Sequence, residues 1–400
     1  MISTPNVTGI AVIAVALAVV CYGKGVYPRS FWKFLRQKAA LVAGRGLPDF
    51  ARLTGFPHPK PVHDFNIAHA RPRPYRPFRW EYHQNMSLKK LEPDYWLELE
   101  STYRDRIKQR RQIYALHGKS VIDELPGSEA ASKELMQMVI QYLCLRYPQQ
   151  FEFDEWTLTF RNHILGSTTD ISTAHPLVFL LENVPEDFLI TQEDPDTGLY
   201  TLRAAVSTSA VGWNIGQKMG KPLHEIHGPV PDYKEKMAFS MDRYFSKMPC
   251  DKPIQRASWG LEVGEPLYLQ TDEPEWSHRQ DQNPDLPLTD IHMRVDWQTL
   301  RRLPNSRAIV FNFKALFTPV TDFREEPFIP KLLLKILLEG KKAIMEYKGT
   351  WSVEHKVIPA LREWAKEQED KGWVPKDWQE RTLNEDPFYP GWEKHYSIPT

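Results

Sequence analysis

The segment from Trp213 to Pro231 constrains the fold of this chain more than any other. Its nineteen residues contain three glycines, three prolines, two lysines and two histidines. Glycine is flexible and proline lacks a backbone N–H, so this composition excludes a long regular helix or strand. Pro229 and Pro231 restrict the backbone directly after His227. A histidine held in this way suits the role of axial ligand to a metal or haem; a core histidine beside a helix boundary is the alternative.

The overall composition favours a globular protein and argues against a nucleic-acid-binding one. The 51 basic and 51 acidic residues cancel to a formal net charge of zero, so no global field attracts a polyanion. Cys21, Cys144 and Cys250 are an odd number without a CxxC spacing, which excludes a zinc cluster of that type and a full disulfide framework. Cys250 follows Met248-Pro249 and remains an alternative haem ligand as a thiolate.

The N-terminal region predicts a membrane anchor. Val7–Tyr22 is almost wholly apolar, and the basic residues come after it, from Lys24 to Arg45. Basic residues that flank a membrane span stay on the cytosolic side, and here they lie C-terminal to the apolar stretch. The sequence therefore predicts that residues 1–27 form one transmembrane helix with the remaining chain in the cytosol. A signal peptide is the alternative, although its basic n-region is missing. Residues 28–77 are basic and proline-rich, which indicates an extended linker along the domain surface.

Hydrophobic periodicity in the rest of the chain predicts an α+β domain over residues 78–350. Apolar residues at steps of three or four indicate helices, and alternating or continuous apolar runs indicate strands and hairpins. The predicted helices are Asp94–His117, Ser128–Arg146, Tyr233–Met248 and Ile329–Met345; the predicted strands are Gln255–Val263, Leu267–Gln270 and two hairpins, Phe188–Ser209 and Ile291–Phe317. Residues 351–400, with a charged helix over Glu354–Lys371, are expected to be a peripheral extension.

Several polar residues accompany these elements and are candidates for a site. Guanidinium and ammonium groups bind carboxylates, so the basic residues of the two densest blocks are candidate anchors for haem propionates, with structural ion pairs as the alternative. They are Lys218, Lys221, Arg256, Arg294 and Arg302. Asp296 and Glu193 are candidate groups for acting on a substrate. His224 and His227 are also a candidate metal pair without an evident third ligand. No nicotinamide, flavin or nucleotide motif is present, so an oxidative enzyme would need an external electron donor.

Several of these blocks together resemble the alpha subunit of the haem-dependent oxidative N-demethylase family. The resemblance runs from about residue 78 to 349 and depends most on two blocks, one around His227 and one around Gln298. The matching pieces are Met86-x-Leu88, Pro93-x-x-Trp96, Tyr103 with Arg110, Gln192-Glu193-Asp194, Trp213 with Lys218-x-Gly220, Ile226-His227-x-Pro229-Val230-Pro231, Arg256-x-x-Trp259, and Arg294-x-x-x-Gln298-Thr299-Leu300-x-Arg302-Leu303-Pro304.

The resemblance implies a PAS-like antiparallel sheet core with flanking helices that binds haem b and removes a methyl group from a small amine as formaldehyde. His227 matches the axial ligand. The residues expected to hold the cofactor are Trp213, Lys218, Arg256, Arg294 and Arg302, and those expected to act on the substrate are Glu193, Asp296 and Gln298. The chain departs from the family at Asp296-Trp297, where the usual pair is an acid and an arginine, and this departure implies a changed distal pocket.

The leading hypothesis is therefore a haem-dependent oxidative enzyme in the endoplasmic reticulum membrane, anchored by one N-terminal helix. Its partners would be a small-molecule substrate and an electron-donating reductase. A haem-binding sensor or carrier on the same core is one alternative, and a haem-free, membrane-tethered interaction module is the other.

Overall fold

A computed structural model describes residues 46–81, 86–394 and 396 of the chain. The predicted transmembrane anchor, residues 1–27, lies outside these residues. None of the helices within the described ranges is long and apolar enough to cross a membrane.

The centre of the fold is an antiparallel seven-stranded sheet with the order β1-β8-β9-β10-β6-β7-β2. Its strands are β1 (Lys89–Lys90), β2 (Ile122–Glu124), β6 (Asp187–Glu193), β7 (Tyr200–Val206), β8 (Ile254–Val263), β9 (Ile291–Arg302) and β10 (Ile309–Pro319). A separate three-stranded sheet consists of β3 (Phe151–Asp154), β4 (Thr159–Asn162) and β5 (Ser167–Asp170). The architecture is therefore α+β, as predicted, with a large antiparallel sheet.

Ten α-helices surround the sheets within the described residues. They are α1 (Phe50–Thr54), α2 (Tyr103–His117), α3 (Glu129–Arg146), α4 (Pro176–Asn183), α5 (Leu223–Ile226), α6 (Tyr233–Lys236), α7 (Ala238–Lys247), α8 (Ile329–Glu339), α9 (Lys342–Lys348) and α10 (Trp351–Asp370). Short 3-10 helices lie at Pro93–Tyr95, Gly118–Ser120, Ile215–Gln217, Pro274–Arg279, Leu288–Asp290, Val320–Glu325 and Trp392–Lys394.

Strand alternation divides the hydrophobic core between the two faces of the sheet. Successive side chains of a strand point to opposite faces. On one face, Val310 packs with α3 and α4, and Val295 packs with α8 and α10. On the other face, Leu300 packs against α6 and α7. This second face carries the candidate site.

Most predicted elements are present with altered ends. The two hairpins are confirmed as β6–β7 and β9–β10. The first predicted helix begins only at Tyr103, the helix predicted from Tyr233 is divided at Met237, and the helix predicted from Ile329 ends at Glu339 before Gly340. The predicted strand Leu267–Gln270 is wrong, since it contributes only an isolated bridge.

The two flanking regions are part of the folded core, unlike the surface linker and the peripheral extension expected from the sequence. Phe65 and Tyr75, in the predicted linker, are buried. In the C-terminal region, Leu361 and Trp364 of α10 and Tyr389 are buried with α8. The apolar face of α10 is long enough to cover sheet and helix together, and its charged residues lie on the opposite side.

Candidate haem site between the sheet and helices α5 to α7

A cavity of about 290 Å³ lies between the second face of the sheet and the segment that contains α5, α6 and α7. Ligand pockets of proteins commonly enclose about 300–1,000 Å³. The helical wall consists of His227, Tyr233, Met237, Met241, Tyr244 and Phe245. The sheet wall consists of Leu189, Leu202, Arg256, Asp296, Gln298, Leu300, Phe311 and Phe313. The lining is mixed, since apolar and aromatic side chains alternate with polar and charged ones.

Register explains why the polar groups of the sheet wall lie together. Gln298 of β9 pairs with Arg256 of β8 on one side and with Phe313 of β10 on the other. Asp296, two residues earlier on the same face, pairs with Ser258. Neighbouring strands are about 4.8 Å apart, so these side chains form adjacent rows on the cavity floor.

His227 ends the short helix α5, and its own backbone fixes its ring. The Nδ1 atom lies 2.8 Å from the carbonyl oxygen of Leu223, which also accepts the backbone N–H of His227. A carbonyl can only accept, so Nδ1 carries the proton and Nε2 keeps its lone pair. Among the described residues, Nε2 has no hydrogen-bond partner. Tyr233 stacks on the ring with the centroids 4.9 Å apart and the planes at 10°.

The surroundings of His227 keep its imidazole neutral. Burial lowers the pKa of His227 to about 4, and the positive charges of Lys218 and Arg256 contribute to the lowering, whereas the hydrogen bond to Leu223 opposes it. At pH 7 the ring is therefore uncharged. Neutral imidazole with one nitrogen bonded to a carbonyl is the form that ligates metals in proteins.

A second cavity of about 420 Å³ adjoins the first and is more polar. Trp213, Lys218 and Asp296 line both cavities. The Lys218 ammonium lies 3.6 Å from the ring centroid of Trp213, a cation–π contact. Burial lowers the pKa of Lys218 to about 8, and Lys218 makes no ion pair with any described residue. Its charge is therefore available to a ligand at the junction of the two cavities.

Gly212 determines how the Trp213 segment enters the site. Its φ is 74°, and a Cβ atom at this position would lie 2.8 Å from the Trp276 ring. Only glycine fits this conformation without strain. The backbone can therefore turn sharply and bring Trp213 to the wall of both cavities.

Asp296 is oriented by a chain of buried polar contacts. Its Oδ1 accepts a hydrogen bond of 3.0 Å from Nε of Arg294, which lines the second cavity. The same guanidinium donates to the carbonyl oxygen of Ser209 at 2.7 Å, and the Ser209 N–H donates to Asp187 at 2.6 Å. Asp187 pairs with Arg110, and both are fully buried. The carboxylate at the cavity is thus connected to the rigid core.

Two of the predicted site residues lie away from the cavities. Glu193 is exposed at the end of β6, where its Oε2 lies 3.4 Å from the Tyr200 hydroxyl. Arg302 is buried, and its guanidinium donates to the carbonyls of Met248 and Phe245 and to the hydroxyl of Tyr200. It therefore holds the end of α7. The remaining predicted residues, Trp213, Lys218, Arg256, Arg294, Asp296, Gln298 and His227, line one or both cavities.

The alternatives to His227 are placed less well. His224 is exposed and lines neither cavity. Cys250 lies beside Arg307 and the carbonyl of Leu303, also outside both cavities. In the described ranges, no group of three or more His, Cys, Asp or Glu side chains could hold a metal ion.

The position of Trp297 corrects the expectation that the departure at Asp296-Trp297 places an altered side chain at this residue in the distal pocket. Trp297 follows Asp296 in a strand and so points to the opposite face, where it stacks on Tyr75 with the centroids 3.7 Å apart. Replacement of a basic residue at this position therefore leaves the cavity wall unchanged.

The sequence interpretation missed the helical lid over the cavity. Met237, Met241, Tyr244 and Phe245 recur at steps of three or four, so the periodicity was available. It showed that α7 has an apolar face, but not that a cavity separates this face from the sheet. Tyr347 and Lys348, which line both cavities, carried no comparable signal.

The chain also matches a known protein family. A family model described as haem-dependent oxidative N-demethylase, alpha subunit-like, matches residues 87–358. The match covers about two thirds of the chain and includes every element of the cavity from Leu88 to Lys348. The resemblance found in the sequence blocks is confirmed.

Proposed function

The chain belongs to the haem-dependent oxidative N-demethylase, alpha subunit-like family, and on that premise we propose that it binds haem through His227 and oxidatively demethylates a small amine. The observation that supports this most is the state of His227: a neutral ring, Nδ1–H bonded to a carbonyl, and Nε2 without a partner among the described residues.

The residues present fit a haem group. The apolar walls around His227 suit a macrocycle, and the stacked Tyr233 limits rotation of the imidazole. Lys218 and Arg256 are cationic groups at the cavity and suit the two propionates. We propose haem b, since the CxxCH motif of covalent haem attachment is absent from the sequence. The adjoining second cavity provides further space beside the first.

When bound, haem supplies an iron that activates oxygen for the removal of a methyl group as formaldehyde. The chain itself would bind and orient the amine. Asp296 lies on the sheet wall and can accept the proton of a substrate ammonium, while Arg294 holds its carboxylate in one direction. Gln298, in the next row, offers an amide for a hydrogen bond to the substrate. Leu300, Phe311 and Phe313 exclude water from this wall.

The PAS-like nature of the core is part of the proposal. It is supported by the order of the five central strands, β7-β6-β10-β9-β8. The first two strands in chain order, β6 and β7, lie at one end, and the segment between β7 and β8 covers the cavity.

The partners and location are proposed from the sequence alone. Without a nicotinamide or flavin motif, the protein needs an electron-donating reductase. The apolar segment within residues 1–27 is the reason to propose a single-pass anchor in the endoplasmic reticulum membrane with the haem domain in the cytosol. None of the described elements supports the anchor, so it depends on this segment only.

An absorption spectrum of the full-length protein tests the proposal, with His227→Ala compared against His224→Ala. We expect a Soret band in the wild type and in His224→Ala, and a shifted or missing band in His227→Ala. Dimethylamine with oxygen and a reductant should then yield formaldehyde. Gas binding without turnover would favour a sensor or carrier. Absence of the Soret band after haem supplementation would refute the haem proposal and favour an interaction module.

A further inference from the structure

A row of aromatic rings runs from the back of the cavity floor to the protein surface. Trp297 stacks on Tyr75 at 3.7 Å, with an angle of 18° between the planes. Tyr75 is 5.3 Å from Phe388, and Phe388 stacks on Trp392 at 4.1 Å and 12°. Trp392 is 5.5 Å from Tyr396. Trp297 and Tyr75 are buried, whereas the last three rings are partly exposed, so the row connects the interior with the solvent.

The inner end of this row adjoins the proposed haem site. Trp297 lies in β9 between Asp296 and Gln298, which both face the cavity. Its backbone is therefore part of the cavity floor, and its ring lies on the opposite face of the same strand. One thickness of the sheet separates the indole from the cavity.

The rings differ in how readily they lose an electron. Tryptophan and tyrosine are oxidised by one electron far more easily than phenylalanine, so Phe388 can only connect its neighbours. The Trp297 Nε1 atom is buried and has no hydrogen-bond partner among the described residues, so its oxidised form has no base to receive the proton.

Tyr75 is better equipped than Trp297 to hold the oxidised state. Its hydroxyl donates to Oε1 of Glu98 at 2.5 Å, and Arg73 holds this carboxylate in place. A phenol that loses an electron becomes strongly acidic, and Glu98 is in position to take its proton. Oxidation should therefore move from Trp297 to Tyr75.

We propose that Trp297, Tyr75, Phe388, Trp392 and Tyr396 form a path for single electrons between the haem site and the surface. The proposal rests on the proposed function, because haem oxidised by a peroxide is its oxidant. Trp297 gives one electron to that group, which is reduced by one equivalent. Trp297 recovers an electron from Tyr75 as the phenol proton moves to Glu98. An electron from Trp392, passed through Phe388, then reduces Tyr75 as Glu98 returns the proton. Tyr396 reduces Trp392 and releases its phenol proton to the solvent, and a soluble reductant such as ascorbate restores Tyr396 by giving one electron and one proton.

Such a path would remove oxidising equivalents when no amine is bound at Asp296. Without it, the oxidant would attack the residues that line the cavity, including Met237 and Met241. Because the rings leave the cavity on the face opposite the substrate, the path does not compete with the amine for space.

The test is freeze-quench electron paramagnetic resonance of the full-length holoprotein treated with hydrogen peroxide without amine. We expect a tyrosyl or tryptophanyl radical in the wild type and its loss in Trp297→Phe. Trp259→Phe is the matched control, because Trp259 is a buried tryptophan on the neighbouring strand whose ring lies against Phe78 and the Lys348 ammonium rather than against Tyr75. This variant should keep the radical. Equal radical yields in the two variants would overturn the proposal.

A second variant covers the case in which Trp297→Phe fails to fold. Trp392→Phe changes a partly exposed ring and should leave the radical on Tyr75, where ascorbate reduces it more slowly than in the wild type. An unchanged rate of reduction by ascorbate would contradict the path. A Soret band without any protein radical would refute the path alone, whereas absence of the Soret band would refute the proposed function and the path together.

Discussion

The Arg110–Asp187 pair gives the sharpest quantitative prediction about the support of the site. Both side chains are 0% exposed. Asp187 also accepts the backbone N–H groups of Thr208 and Ser209, at 2.9 and 2.6 Å. Asp187→Asn keeps the shape of the side chain but leaves the Arg110 charge buried without a counter-charge. Removing one partner of a buried pair costs about 3–5 kcal/mol, and we expect this loss in the free energy of unfolding.

Urea unfolding followed by circular dichroism measures the loss. Glu367→Gln is the matched control, because Arg324 and Glu367 also form a two-bonded guanidinium–carboxylate pair but are 49% and 27% exposed. Exposed pairs contribute little, so this variant should unfold almost like the wild type. If Asp187→Asn were no less stable than Glu367→Gln, the assignment of Arg110 and Asp187 as the support behind Ser209 and the cavity would be refuted.

Three further predictions concern charge, packing and the role of the arginines. Burial raises the pKa of Glu186 from 4.5 to about 7, although Lys314 opposes the shift. The folded state therefore binds the proton more tightly than the unfolded state, and the free energy of unfolding should fall as the pH rises from about 4.5 to about 7. Urea titrations of Glu186→Gln at several pH values should lack this decline. Leu361→Ala should lower the free energy of unfolding by about 2–5 kcal/mol, because Leu361 is 0% exposed. The control Leu338→Ala changes a side chain that is 52% exposed and should alter the free energy of unfolding by less than about 0.5 kcal/mol. Equal losses in urea unfolding would show that α10 is peripheral. Arg302→Met should lower the free energy of unfolding of the haem-free protein, because Arg302 holds the end of α7. Arg256→Met should mainly raise the rate at which haem is transferred to apomyoglobin, because Arg256 is proposed to bind a propionate. The reverse pattern would contradict the roles assigned to the two arginines.

Local patterns predicted the five longest strands of the central sheet because these strands carry their own signals, whereas the short strands β1 and β2 and the three-stranded sheet were not predicted. The apolar runs on both sides of the Asn305-Ser306 turn were sufficient to predict β9 and β10 as a hairpin. The helix ends were less predictable. The helix predicted over Tyr233–Met248 is divided at Met237, although no proline or glycine lies between these residues.

The roles of the two flanking regions could not be predicted from composition. Proline and arginine between residues 46 and 77 indicate an extended chain, and apart from the short helix α1 the chain contains no regular helix or strand there. Whether it packs depends on partners far away in the sequence: Arg76 pairs with Glu326, and Lys89 pairs with Asp386 of the C-terminal region. These contacts bring both regions into the core, and no local pattern contains them.

The two arginines Arg256 and Arg302 show where sequence reasoning about the site ends. Both lie in strands of the central sheet, and both were expected to bind propionates. The guanidinium of Arg302 donates its hydrogen bonds to the carbonyl oxygens of Met248 and Phe245 and to the Tyr200 hydroxyl. Through these bonds Arg302 holds the end of α7. A guanidinium committed to the backbone in this way cannot neutralise a ligand without opening the lid of the cavity. Lys218 and Arg256, which line the cavity, therefore remain the proposed partners of a carboxylate there, and their charges add to the burial that lowers the pKa of His227.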